Sequence, residues 1–226
     1  MGFVDLLKER AKKSIKTIVL PETEDMRTLE ATDKILKEGV AKIILIGNEE
    51  EINKKAAEGG FDISGATIVD PETSDKTQAY IDKFVELRAK KGMTPEKAKE
   101  ILHTQYPYYG VMMVKMGDAD GMVSGACHST ADTLRPCLQI LKTKPGTKLV
   151  SAFFLIVVPD CEYGANGAFV FADSGLNQNP TPEELSAIAA SSAESFQLLV
   201  EEEPIVAMLS HSTKGSAKHP DVDKMV

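Results

Sequence analysis

The chain contains few cysteines and no tryptophan. Its three cysteines, Cys127, Cys137 and Cys161, show no C-x-x-C spacing. A sparse, odd set of this kind indicates a reducing compartment and no disulfide framework. The longest apolar run, residues 152–158, is much shorter than the roughly 20 residues that span a bilayer, and no targeting pattern opens the chain. We therefore expect a cytoplasmic protein with no membrane partner.

The chain also lacks several motifs for nucleic acids, nucleotides and metals. Its net charge of −8 argues against a general nucleic-acid binder, which would show a basic face. The sequence IGN at residues 46–48 lacks the G-x-G-x-x-G spacing of dinucleotide sites, and STKGS at residues 212–216 lacks the phosphate-loop order. The four histidines form no H-E-x-x-H pair. We expect no nucleic-acid partner and no metal.

Strand and helix patterns alternate through the first two thirds of the chain. Short apolar strands are predicted at residues 17–20, 43–46, 67–69 and 121–124, with helices at 25–38, 75–90 and up to about 116. Alternation of this kind predicts a parallel sheet covered by helices, which is an α/β fold.

The pattern changes after Pro145 and Gly146. Apolar strands are predicted at residues 149–158, 168–172 and 205–209, and a capping box at residues 181–184 opens a long helix. We assign residues 1–147 to a first α/β domain and residues 148–226 to the start of a second. The second has few strands to cover its helix, and its last residues resemble the entry to another helix. We therefore expect the chain to be a fragment of a longer protein, with an incomplete second domain.

The most informative stretch is GMVSGACHSTADTLRP at residues 121–136. Small residues let a backbone approach a ligand closely, and the free N–H groups of a helix start favour anions. Three residues, Ser129, Thr130 and Thr133, add hydroxyl groups, and Arg135 adds a planar cation matched to phosphate. With Thr133 as N-cap, Pro136 would lie in the first helical turn. The alternative, a capped helix with a solvated arginine, stays open.

Two further cationic stretches could bind an anion. Arg88 lies beside Lys90 and Lys91 near a predicted helix end, where cations also stabilise the helix terminus. Residues 210–216 follow a predicted strand, and they combine hydroxyl groups with Lys214. A plain polar loop explains this second stretch equally well.

Cys127 and His128 are adjacent and suggest a nucleophile with its base. Sequence neighbours rarely point at each other, so a small packed cysteine is the favoured interpretation. Cys161 is predicted to be a loop thiol.

Seven short motifs together resemble the phosphate acetyltransferase (phosphotransacetylase) family, within the phosphate acetyl/butyryltransferases. They are DGMVSG at 120–125, STADTLRP at 129–136, LPE at 20–22, ELR at 86–88, KGMT at 91–94, MLS at 208–210 and STKGS at 212–216. The likeness runs from near residue 5 to the last residue.

The resemblance implies two three-layer α/β domains flanking a cleft, similar to the isocitrate and isopropylmalate dehydrogenase fold. It implies an acyltransferase that interconverts acetyl-CoA plus phosphate with acetyl phosphate plus coenzyme A, by direct attack of the CoA thiolate. Coenzyme A is then a substrate, no separate cofactor or metal is needed, and the full-length form is expected to be a homodimer.

The resemblance also implies roles for individual residues. Arg135 would be catalytic, and Arg88 would meet the phosphates of coenzyme A. The remaining substrate-binding residues would be Ser129, Thr130, Thr133, Ser212, Thr213, Lys214 and Gly215. The family's catalytic serine and arginine, and the aspartate that serves as base, are expected beyond Val226.

Three alternatives stay open. The chain could belong to a phosphate butyryltransferase, or to a non-catalytic sensor that binds phosphate or a nucleotide through the same loop. A third, weaker alternative is a covalent enzyme acylated on Cys127 or Cys161.

Overall fold

A computed structural model of the chain describes residues 2–213 and 215–225. The chain divides into two compact units. One unit is Val4–Lys142, and the other is Thr143–Val226 together with Met1–Phe3.

The first unit is built on a four-stranded parallel sheet. Its strands are β1 (Thr17–Leu20), β2 (Lys42–Ile46), β3 (Thr67–Val69) and β4 (Gly121–Met122). Their order across the sheet is β3-β2-β1-β4, and every neighbouring pair is parallel. The predicted α/β fold with a parallel sheet is confirmed.

Seven helices belong to this part of the chain as the structure describes it. They are α1 (Phe3–Lys13), α2 (Met26–Glu38), α3 (Glu49–Gly59), α4 (Thr77–Arg88), α5 (Pro95–Thr104), α6 (Tyr106–Met116) and α7 (Thr130–Pro136). Side chains of Asp25, Asn48 and Thr94 cap the starts of α2, α3 and α5, because their oxygens accept backbone N–H groups that lack helical partners. A short 3₁₀ turn, Ala89–Lys91, extends α4 to Gly92.

Alternating residues of the strands face two separate apolar layers. Val19, Ile44 and Ile46 pack with residues of α4, α5 and α6 on one face of the sheet. Leu20 and Leu45 pack with residues of α2 and α3 on the other face. The sheet therefore carries helices on both faces, and its polar loops lie beyond the strand ends.

Helix α6 lies close against the sheet at Gly110. A Cβ placed there would stand 2.8 Å from Met122 Sδ and 3.1 Å from Val19 Cγ1. The missing side chain lets the helix backbone approach β1 and β4. Tyr108, two residues earlier on α6, is buried in the same apolar layer.

The start of α7 differs from the prediction. Ser129 is the N-cap, since its side chain accepts from the N–H of Asp132. Thr133 therefore lies inside the helix, and Pro136 is its last residue instead of lying in its first turn. Beyond Pro136 the chain widens into a five-residue π-helical turn, Cys137–Leu141.

The second unit contains an antiparallel strand pair and one long helix. Strand β5 (Phe153–Val157) pairs with β6 (Ala168–Ala172), and α8 (Pro182–Val200) begins with the predicted capping box. A short helix, α9, covers Pro220–Asp223. Strand β5 is shorter than predicted because residues 150–152 bind the side chains of Asp173 and Asn177.

The strand predicted at residues 205–209 is wrong. This segment pairs with no strand among the described residues, and Ile205 is 96% exposed. A strand needs a partner for its backbone groups as well as an apolar sequence. Within the described ranges, no helix has the length and apolar character to cross a membrane.

Candidate functional site at the carboxyl edge of the parallel sheet

The sheet of the first unit has a switch point between β1 and β4. The chain passes from β1 outward to β2 and β3, and then returns to place β4 on the other side of β1. In open α/β sheets, ligands bind beyond the carboxyl ends of the strands at such a point. Glu22 follows β1, and residues 123–129 follow β4, so both reach this position.

Glu22 fills the centre of the switch point. It is 2% exposed, and its carboxylate accepts four consecutive backbone N–H groups from the 125–128 loop. Oε2 binds the N–H groups of Gly125 and Ala126 at 2.7 and 2.8 Å, and Oε1 binds those of Cys127 and His128 at 2.9 Å each. The Nδ1 atom of His128 lies 2.8 Å from Oε1. The loop is therefore folded around an internal anion.

This hydrogen bonding outweighs the cost of burial for the Glu22 carboxylate. Burial alone would raise its pKa, but the N–H groups of the 125–128 loop and the His128 ring hold that pKa well below its usual range. A carboxylate with several such donors stays ionised in the fold. The loop and the carboxylate thus stabilise each other.

The occupied loop corrects one element of the sequence interpretation. We expected the small residues of this turn to let the backbone approach an external ligand, but in the structure the backbone surrounds Glu22, whose carboxylate accepts the N–H groups of residues 125–128. Arg27 also holds the loop, donating from Nη2 to the Ala126 carbonyl at 2.6 Å. The four N–H groups of residues 125–128 are therefore not free to bind an external phosphate.

Arg135 is the exposed cation that α7 offers to such a ligand. Its Nη1 lies 3.2 Å from Asp132 Oδ1, and its side chain is 55% exposed. Asp132 also accepts from the Ser129 hydroxyl at 2.6 Å. The Ser129 hydroxyl bond and the Arg135 charge hold the pKa of Asp132 below its usual value. Asp132 therefore restrains Arg135 while leaving most of the guanidinium open.

The two predicted threonines of α7 have different surroundings. Thr130 is the first residue of the helix and is exposed. Thr133 is half-buried, and its Oγ1 is buried with no hydrogen-bond partner in the described part of the chain. Of the two, Thr130 is the more accessible to a ligand.

Tyr108 lies between α4, which carries Arg88, and the turn that directly follows α7, the helix of Arg135. Burial raises the pKa of its hydroxyl, while the nearby charges of Arg135 and Arg88 lower it. The Tyr108 ring packs against Phe84 of α4 with the two ring centroids 5.7 Å apart, and its hydroxyl donates to Gln139 Oε1 at 3.3 Å. Arg88 ends α4, and its buried Nε has no partner among the described residues. Helix α4, which ends in Arg88, and the turn that follows α7 therefore both contact Tyr108.

The predicted loop at residues 210–216 belongs to the second unit. Ser212 accepts from the Ala217 N–H through Oγ, and the Thr213 N–H donates to Ser216 Oγ. Gly215 has a φ of 78°, in the left-handed region. Lys214 lies outside the described residues. These bonds form a closed polar turn with exposed edges.

Cys127 and His128 approach each other more closely than expected. The Cys127 thiol is 3.7 Å from His128 Nδ1, and the residue is exposed instead of packed. Partial burial, Glu24 and Glu22 raise the pKa of the Cys127 thiol to about 12. A thiol with so high a pKa is a poor nucleophile near neutral pH.

The same three groups, Glu22, Cys127 and His128, offer potential metal-ligand atoms within 4.8 Å of one another. Oε1 of Glu22 already accepts from the Cys127 and His128 N–H groups and faces His128 Nδ1. The protonated thiol is a weak ligand as well. The hydrogen bonds indicate a cluster that holds a loop, and we assign no metal to it.

Sequence reasoning missed three residues that organise this edge. Glu22 was noted only within the LPE motif, although its place directly after Pro21 and the strand end was a usable signal. Asp132 lies one helical turn from Arg135, a spacing that indicates an ion pair. Tyr108 gave no signal, because only the tertiary fold places it between two helices.

A parallel sheet with a switch point between β1 and β4 defines an open α/β protein, and ligands of such proteins generally bind beyond the carboxyl ends of the strands at that point. The sequence profile of the family Phosphate acetyl/butaryl transferase matches residues 2–226. The chain belongs to this family, and the resemblance seen in the sequence is confirmed.

Curated relatives agree with the family assignment. The chain is 54% identical over 226 residues to the phosphate acetyltransferase of Acetivibrio thermocellus, covering all of this chain and 67% of that protein. It is 51% identical to the phosphate acetyltransferase of Clostridium acetobutylicum, again over all of this chain and 67% of the relative. The chain therefore spans about two thirds of the length of these proteins.

Solved structures give the same result. The EutD phosphotransacetylase of Staphylococcus aureus matches with a TM-score of 0.87 and 39% identity, over 99% of this chain and 65% of that one. A phosphotransacetylase of Streptococcus pyogenes matches with a TM-score of 0.88 and 41% identity, over 99% and 67%. These homologues and structural neighbours are phosphate acetyltransferases.

Proposed function

We propose that the protein carrying this chain is a phosphate acetyltransferase. It would interconvert acetyl-CoA plus phosphate with acetyl phosphate plus coenzyme A. The observation that carries the proposal is the 54% identity, along the whole chain, to a protein named phosphate acetyltransferase. The cations at the carboxyl edge of the sheet suit substrates that all carry phosphate groups.

The reaction is a direct acyl transfer. The thiolate of coenzyme A attacks the carbonyl carbon of acetyl phosphate, and a C–S bond forms. The bond from that carbon to the phosphate oxygen breaks, and phosphate leaves with its electron pair. A base must first take the thiol proton, and the family resemblance expects that base beyond Val226. No cofactor takes part in these steps.

Arg135 would hold the phosphoryl group and balance its charge as it leaves. Its guanidinium is exposed and is restrained by a single carboxylate, Asp132, so a phosphate dianion would compete well for it. The exposed hydroxyls of Ser129 and Thr130 stand at the start of the same helix, with Thr133 one turn further on.

Arg88 would bind the phosphates of coenzyme A. It ends α4, and Lys90 and Lys91 follow it on exposed positions. The 210–216 turn, with Ser212, Thr213, Lys214 and Gly215, would contact substrate from the second unit.

Three further properties of the protein are part of the proposal: its domain arrangement, its oligomeric state and its compartment. The two units would take the arrangement of isocitrate and isopropylmalate dehydrogenases, with a cleft between two α/β domains. The protein would form a homodimer, which light scattering tests directly. A reaction that consumes coenzyme A is expected in the cytoplasm.

The test is an acyl-transfer assay. Acetyl phosphate and coenzyme A are mixed with the protein, and thioester formation is followed by its ultraviolet absorbance. Turnover with acetyl phosphate supports the proposal. A higher kcat/KM with butyryl phosphate would indicate a phosphate butyryltransferase, since the family includes both. Binding of either substrate without turnover would indicate a sensor.

The covalent alternative makes a separate prediction. An enzyme acylated on Cys127 or Cys161 would show ping-pong kinetics and would retain labelled acetyl groups in the absence of coenzyme A. The high pKa of the Cys127 thiol favours the direct reaction instead.

A further inference from the structure

His128 stands between the buried Glu22 and a polar cavity. Its side chain is 29% exposed, and its Nδ1 lies 2.8 Å from Glu22 Oε1. The residue also lines a cavity of about 310 Å³ beyond the carboxyl ends of β1 and β2. The charged and polar residues that line this cavity with it are Thr23, Glu24, Asn48, Glu51, Lys55, His103, Thr104 and Tyr106.

The bond to Glu22 decides which ring nitrogen carries the proton. A neutral imidazole has one N–H donor and one bare acceptor nitrogen. An ionised carboxylate only accepts, so Nδ1 must be the donor. In the neutral ring Nε2 is then a bare acceptor, and it is the ring nitrogen left for the cavity once Nδ1 binds Glu22. A partner that orients one nitrogen in this way commonly fixes the role of the other.

The Glu22 carboxylate is held more firmly than an ordinary surface acid. Four backbone N–H bonds fix both of its oxygens. The neighbouring Glu24, by contrast, is exposed and contacts only the Cys127 thiol in this loop. Glu22 is therefore placed to set the tautomer of His128, and Glu24 is not.

We propose that Glu22 is a positioning residue that fixes His128 with its proton on Nδ1, and that His128 Nε2 accepts a hydrogen bond from coenzyme A. The choice of coenzyme A rests on the proposed function and on chemistry. Coenzyme A carries thiol, amide, hydroxyl and amino donors. The acetyl phosphate dianion has only hydrogen-bond acceptor oxygens, and the lone pair of an unprotonated nitrogen repels them.

The first experiment measures the tautomer and needs no activity. The imidazole nitrogens of the protein are labelled with ¹⁵N, and their couplings to the ring protons are recorded near pH 9, about two units above the ordinary histidine pKa. The His128 signals are identified as those lost in His128→Asn, among the four histidines of the chain.

We expect His128 in the Nδ1–H form. Glu22→Ala should abolish this preference, whereas the matched control Glu24→Ala should leave it unchanged. An Nε2–H form in the wild type, or the same preference in Glu22→Ala, would overturn the role of Glu22. If Glu22→Ala does not fold, the wild-type tautomer and the Glu24→Ala control decide the question.

The second experiment measures coenzyme A binding by calorimetry. In His128→Asn the side-chain amide still donates to Glu22, as Nδ1 does, but no acceptor stands at the Nε2 position. We expect the Kd for coenzyme A to rise about two- to tenfold, the range spanned by one neutral hydrogen bond. The Kd for acetyl phosphate should stay unchanged.

The two proposals fail in different ways. An unchanged Kd for coenzyme A in His128→Asn, or equal weakening of both ligands, would overturn the acceptor role of Nε2. A wild-type protein that binds coenzyme A but forms no thioester would overturn the proposed function, while the tautomer and binding results would still decide the roles of Glu22 and His128.

Discussion

Replacing Glu22 with glutamine tests the internal anion of the 125–128 loop directly. The change keeps the shape of the side chain and removes its charge. The amide oxygen can replace Oε1 and still accept from Cys127 and His128. The amide NH₂ then stands where Oε2 was, facing the N–H groups of Gly125 and Ala126.

The structure sets the size of the effect. Two N–H donors lose their acceptor, and each stranded donor costs about 1–3 kcal/mol when it is buried. Gly125 is exposed and Ala126 is half-buried, so water relieves part of this cost. We expect Glu22→Gln to lower the free energy of unfolding of the first unit by about 2–4 kcal/mol. The matched control Glu24→Gln should stay within about 0.5 kcal/mol of wild type, as surface changes usually do.

The assay is urea unfolding followed by tyrosine fluorescence. The chain has no tryptophan and five tyrosines. Four of them lie in the first unit, at positions 80, 106, 108 and 109, so the signal reports mainly on that unit. With an m-value of about 2 kcal/mol/M, the midpoint should fall by about 1–2 M urea. Equal midpoints for Glu22→Gln and Glu24→Gln would refute the internal-anion argument.

Three further predictions follow from the same site. The pKa of Glu22 is lowered in the fold from 4.5, so its contribution to stability is complete above about pH 4.5 and is lost as the pH falls below that value. The urea midpoint should therefore drop more steeply on acidification for wild type than for Glu22→Gln, and parallel curves would contradict this. Arg135→Ala should lower kcat/KM by about tenfold to a hundredfold, which corresponds to the loss of one charge-assisted hydrogen bond. Arg135→Lys should keep only part of the wild-type kcat/KM, because lysine cannot donate bidentately. Wild-type kinetics in the alanine variant would show that Arg135 is a surface residue without this role. Arg88→Ala should raise the KM for coenzyme A more than the KM for acetyl phosphate. The increase in KM should be smaller with dephospho-CoA, which lacks the 3′-phosphate. Equal changes in KM for coenzyme A and acetyl phosphate would show that Arg88 does not bind coenzyme A.

The sequence alone determined the class of fold in the first unit. Apolar runs at residues 17–20, 43–46 and 67–69 are short and two-sided, which is typical of parallel strands buried between helices. Helix ends were equally readable, because the capping oxygens of Asn48 and Thr94 and the left-handed Gly39 act within one turn of the chain. These signals are local, so a single sequence carries them.

The sequence misplaced elements whose limits depend on distant partners. Residues 205–209 have a strand-like composition but pair with no strand within the described residues. Helix α7 begins where the Ser129 hydroxyl caps it. Serine and threonine are both common helix caps, so the local sequence does not decide between Ser129 and Thr133. The loop directly before Ser129 is held by Glu22, about a hundred residues earlier in the chain.

The family and its candidate arginines were readable from motifs, but the tertiary structure decided how the site is organised. The loop whose small residues were expected to let the backbone approach a ligand is folded around Glu22, and α4 and the turn after α7 both contact Tyr108. Such contacts join residues about 20 to 100 positions apart. Their free energies depend on burial and on which donors meet, and these quantities exist only once the sheet and its helices have brought the residues together.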